Sequence, residues 1–168
     1  MVSSAEIQSQ LRAFPIHWRV WFGWLGLVVL ILPFAFLRYR AGRVAALISA
    51  VFVAGLLVLV HTYGITYLIS WLHLVVWGPL FAYLVRELRT GRAAVRSAFG
   101  VWMRSAVVTL AVSLAFDVRD AVRWLAGDRG IVAPESGMEW PWVTTVLLAA
   151  AAAIAAWAVR NPGRGDES

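Results

Sequence analysis

Long apolar runs alternate along this chain with short polar connections. A bilayer's hydrocarbon core, about 30 Å thick, takes around twenty apolar residues at helical rise. Four runs meet that length, at 18–37, 44–61, 65–85 and 101–126, and a fifth at 142–159 nearly does. The pattern predicts an all-α integral membrane bundle of five spanning helices. The whole of 1–168 reads as one transmembrane domain, because the longest connection has only about fifteen residues. The first run is too long for the core of a cleaved signal and has no small-residue cleavage pattern after it, so it is read as a span. Ahead of it, Ser3–Arg12 carries Ile7 and Leu11 at helical spacing and reads as a short surface helix or a frayed end.

Composition supports a membrane class. Hydrophobic residues make up 61% and charged residues 14% of 168 positions, against about half and a quarter in soluble domains. Every basic residue is arginine, and the placement of these arginines predicts orientation. The connections after the first and third runs, with Arg104 and the C-terminal tail, hold ten arginines and three acids. The opposite side holds five arginines and six acids. The positive-inside rule then puts the N-terminus outside and the C-terminus in the cytoplasm, in a membrane of bacterial inner type. Arginines scattered in short connections do not make a folded basic face, which argues against a nucleic-acid partner. With no cysteine in the chain, disulfides, thiolate metal sites and thiol catalysis are excluded.

Helices in lipid associate through close backbone approach and polar contacts. Ala46, Ala50 and Ala54 form a small-residue stripe on the second run, and 149–156 is almost all alanine. Both suit a tight bundle or a homo-oligomer. Pro33 and Pro79 each remove a backbone donor, and of the two Pro79 is the expected kink.

The candidate chemistry gathers near the outer end. "AFDVRDAVRWLAGDRG" interrupts the fourth run with charges, and Thr109, Ser113, Asp117, Asp120 and Trp124 share one helical face there. A polar stripe of this kind points into protein or water. Asp120 has Arg123 three residues on, within pairing reach, whereas Arg119 falls on a different face. The third run carries Thr66, Ser70, His73 and Trp77 on one face. The candidate polar cluster is therefore Arg19, His61, Tyr67, His73, Asp117, Asp120 and Arg123. Asp117 is expected to meet a polar group of another helix, with His61, Tyr67, His73 and Arg19 as candidates.

No nucleophile elbow, phosphate-binding glycine loop or zinc helix motif is present, which argues against an enzyme. Haem fits poorly, because His61 and His73 differ in expected depth by roughly 10 Å; no metal or other cofactor is expected. Three function classes remain. The favoured one is a non-catalytic scaffold or accessory subunit with the lipid bilayer and a membrane protein as partners. The others are a small oligomeric transporter or channel subunit, and a haem- or quinone-binding redox protein.

Overall fold

The computed structural model describes residues 2–90 and 97–128. The fifth expected span lies outside them. The described residues are helical, and four helices are long and apolar enough to cross a membrane. Outside the break in the first of them, their backbones satisfy their own hydrogen bonds along the helix, which makes such runs tolerable in hydrocarbon.

Helix α1 (Ser4–Ala13) is the surface helix. Ser3 caps it, accepting from the Glu6 amide, while the Glu6 carboxylate accepts from the Ser3 amide at 2.7 Å. Helix α2 (Ile16–Leu25) continues through a π-helical turn, Gly26–Ile31, into a 3-10 turn, Leu32–Phe36. The long helices α3 (Arg40–Tyr63), α4 (Leu68–Arg89) and α5 (Ala98–Leu125) follow. Ser97 caps α5 by accepting from the Gly100 amide. Gly64 ends α3 at φ 76°, a conformation that an L side chain resists.

Two sequence expectations change here. The first span is not a uniform α-helix, and α4 runs without interruption across Pro79. The departure from α geometry falls before Pro33 instead. Pro33 has no N–H to offer the carbonyls of Val29, four residues back, or Val28, five back. Side chains from two other helices replace that donor: Ser49 Oγ donates to the Val29 carbonyl at 2.7 Å, and Trp102 Nε1 to that of Val28 at 3.0 Å. Both carbonyls are thus satisfied out of reach of water, the condition for breaking a helix in a membrane.

The alanine stripe also shifts. Ala46 is buried, but Ala50 and Ala54 are exposed within the single chain. The packed face of α3 is instead Ala41, Gly42, Ala45, Ser49 and Phe52. Gly42 lies so close to the end of the 3-10 turn that a Cβ there would overlap the Phe36 carbonyl oxygen.

Helix α5 is the hub. Its most apolar window is 61% buried, against 22% for each of the other three long helices. Leu25, Val28, Ala45, Trp77, Leu84, Met103, Val107 and Leu110 belong to one continuous core. Leu47, Val51, Val58, Val75, Val101 and Val108 are turned outward, leaving an apolar exterior of the kind lipid requires.

Candidate functional site

The buried stripe of α4 runs through Ser70, Trp77, Leu80 and Leu84, and His73 lies on it one turn from both Ser70 and Trp77. The buried stripe of α5 passes through Thr109, Ser113 and Asp117. Packing of α4 on α5 brings the two polar positions together: His73 Nδ1 lies 2.6 Å from Asp117 Oδ1. Ser113 Oγ donates to the other carboxylate oxygen at 3.3 Å. The imidazole packs nearly parallel to Trp77, with centroids 4.3 Å apart and planes at 7°, and against Phe52 of α3 at 5.0 Å. Three helices therefore fix the ring. Nε2 makes no hydrogen bond within the described residues.

Further toward the end of α5, the charges pair differently from the sequence expectation. Asp120 is held by its neighbour Arg119: Nε and Nη2 of Arg119 donate to Asp120 Oδ1 at 2.8 and 2.6 Å. The arginine is long enough to curl back across a helical face that the backbone alone would separate. Its guanidinium also lies 5.5 Å from the Phe116 ring centroid. Arg123 reaches past the helix end to Asp128, with Nη2 at 2.8 Å, and lies 4.7 Å over the Tyr67 ring. Tyr67 thus ties the start of α4 to the end of α5.

The remaining candidates stand apart from this pair. Arg19 is exposed on α2. His61 is exposed too, with Nδ1 2.9 Å from the Leu57 carbonyl of its own helix. Its own carbonyl accepts from the Val2 amide at 2.9 Å, which draws the chain start over the α3–α4 connection.

A cavity of about 440 Å³ opens between α1, α2, α3, α4 and α5 at this end of the bundle. Such a volume suits a small ligand. Ile7, Leu11 and Phe14 of α1 roof it, and Trp18, Phe22, Leu25, Leu56, Val60 and Ile69 make apolar walls. Its polar lining residues are His61, Thr66, Ser70, His73, Ser113, Asp117, Arg119 and Asp120. Two lining residues, Trp77 and Thr66, each bury a polar atom, Nε1 and Oγ1, with no protein partner among the described residues. Leaving such a group unmade costs about 1–3 kcal/mol; Trp71 Nε1, outside the cavity lining, is buried in the same way. Among the described residues, no three His, Asp or Glu side chains gather as a metal site.

Sequence reasoning did not single out Phe52, Arg119, Ser70 or the α1 roof as parts of one site. Phe52 is a lone aromatic in an apolar run and carries no signal. Ser70 and Trp77 share the His73 face, and that spacing was the available clue.

The chain matches no family model, no curated protein and no solved structure. Fold and site alone define its class: a helical protein of membrane-spanning type, with a partly buried histidine–aspartate pair facing a mainly apolar cavity.

Proposed function

We propose that this is a small multi-pass inner-membrane protein that binds a membrane-soluble, amphipathic small molecule in the cavity beside His73 and Asp117. The observation that carries the reading is the union of apolar walls with a partly buried, hydrogen-bonded polar pair. Binding sites are typically apolar with a few convergent polar groups. A scaffold needs no such space, and tight packing would fill it. The proposed topology has five spans, with the N-terminus and the cavity end outside.

Filling the cavity tests this. Leu56→Trp should displace the occupant, so lipid-soluble molecules extracted from purified wild-type protein should be depleted from the variant. Identical extracts from both proteins, at equal folding, would return the scaffold reading to first place. A transporter reading draws on the same cavity. It predicts solute flux in proteoliposomes that Asp117→Asn abolishes.

A further inference from the structure

Arg104 puts a charge on the outer face of α5. It lies about 9 Å from the helix start at Ala98. Its neighbours one turn to either side, Val101 and Val108, are 55% and 44% exposed, so this stripe faces the apolar surroundings of the bundle. A charge there is costly in hydrocarbon, and a long arginine near a helix end turns its head to the interface. Nη1 of Arg104 donates to the Gly100 carbonyl, one turn back, at 3.0 Å. The side chain therefore runs toward the start of α5, at the end that carries Arg86 and Arg89 in the last turn of α4.

Beside it a groove of about 330 Å³ runs between α2 and α5. Among the described residues it shares only Trp21 with the cavity beside His73. Trp21 and Trp24 of α2 form one wall, Val108 and Val112 of α5 the other. Trp24 Nε1 donates to Thr109 Oγ1 at 3.0 Å, which pins the ring wall to α5. From Arg104 the groove follows α5 to Val112, about 12 Å further from the arginine-rich end. A cation near the interface with an apolar trough leading inward from it repeats the order of a phospholipid, headgroup and then acyl chain. Guanidinium matches phosphate oxygens in charge and in bidentate geometry. Basic pockets between spanning helices take anionic headgroups in this way.

We propose that this groove binds one anionic phospholipid, with its phosphate on Arg104 and one acyl chain along Trp21, Trp24, Val108 and Val112. A zwitterionic headgroup is the poorer match, because it brings a cation of its own to an arginine-rich end.

Native mass spectrometry of the full chain in detergent tests this, with phosphatidylglycerol and phosphatidylcholine of identical chains added in turn. The first phosphatidylglycerol should bind at least fivefold more tightly than phosphatidylcholine. Arg104→Gln should bring the two lipids to within about twofold of each other. Arg38→Gln, which changes an arginine set over Tyr39 and outside the groove lining, should keep the preference. Val112→Trp fills the trough without touching the charge, and should weaken both lipids together. The wild-type comparison and Val112→Trp stand even where Arg104→Gln does not fold. Equal binding of the two lipids by the wild-type protein would overturn the proposal. A preference that survives Arg104→Gln would overturn it too, by assigning the effect to the other arginines of this end. Inorganic phosphate that displaces phosphatidylglycerol at equal concentration would replace the lipid site by a bare anion site.

Discussion

At the scale of single residues, the His73–Asp117 bond ties two helices through groups that lipid or core would otherwise reject. A buried hydrogen bond gains little net energy, but removing one partner strands the other. Asp117→Leu should therefore lower stability by about 1–3 kcal/mol, read as a fall in Tm of the purified protein. Asp117→Asn should cost less, because an amide oxygen can still accept from Nδ1–H. An unchanged Tm for the leucine variant would mean that the bond is absent. The sequence marked Asp117 as inward-facing through its spacing from Thr109 and Ser113, and named His73 among four partners. It could not choose, because depth depends on where a helix starts, and α4 begins at Leu68, three residues after the start of the 65–85 run. That change brings His73 to about 8 Å from its helix start, level within a turn with Asp117, about 12 Å from the end of α5. The helical wheel separated Arg119 from Asp120 because it describes Cβ directions and ignores the reach of arginine. Glu6 supplies a pH prediction outside the spans. Hydrogen bonds from the Ser3 amide and hydroxyl hold its carboxyl below the ordinary 4.5. A lowered folded value means that the stabilisation is complete above the ordinary value and is lost as pH falls through the folded one. Amide exchange at the start of α1 should accordingly speed up in acid below that range, while Glu6→Gln should flatten the response.

At the scale of elements, the broken first helix and α3 depend on each other. Ser49 supplies the donor that Pro33 lacks, so Ser49→Ala should leave the Val29 carbonyl buried and unpaired at a cost of about 1–3 kcal/mol. Gly42→Ala acts at the other end of the same contact. Its new Cβ meets backbone, not a side chain that can swing away, and overpacking of this kind costs about 1–3 kcal/mol. Both variants should lower Tm. Ala50→Leu serves as the control, since Ala50 faces outward and the folded chain should accept it unchanged. A loss of oligomer with that variant, at constant monomer stability, would place the alanine stripe at a contact between copies. The four long helices were legible because twenty apolar residues leave few alternatives. The π and 3-10 turns were not, because proline marks a missing donor without saying where its substitute comes from. Here the substitutes sit 20 and 74 residues away.

At the scale of the whole molecule, the two ends of the bundle differ in chemistry. One end gathers the arginines at the starts of α3 and α5 and the close of α4, beside a cluster of rings. Tyr39 lies flat on Phe99 with centroids 4.0 Å apart, and Phe36 stacks on Trp102 at 5.2 Å. Arg38 lies 4.7 Å from the Tyr39 centroid. The other end holds the cavity, the paired charges of α5 and the roof formed by α1. An arginine-rich end is retained on the cytoplasmic side and a charge-balanced end is free to cross, so the cavity should open toward the outside. The cysteine-free sequence makes this measurable without background. Ser9→Cys lies on exposed α1 at the cavity end, and Thr90→Cys lies at the close of α4. A membrane-impermeant thiol reagent added to intact cells should label the first and spare the second until the membrane is opened. Ser136→Cys should behave like Ser9→Cys, because α5 alone separates its connection from that of Thr90. Labelling of the Ser9 and Thr90 cysteines from the same side would remove the membrane-spanning arrangement. Labelling from opposite sides, with Thr90 outward, would keep the bundle and reverse it, opening the cavity to the cytoplasm and drawing its ligand from the inner leaflet.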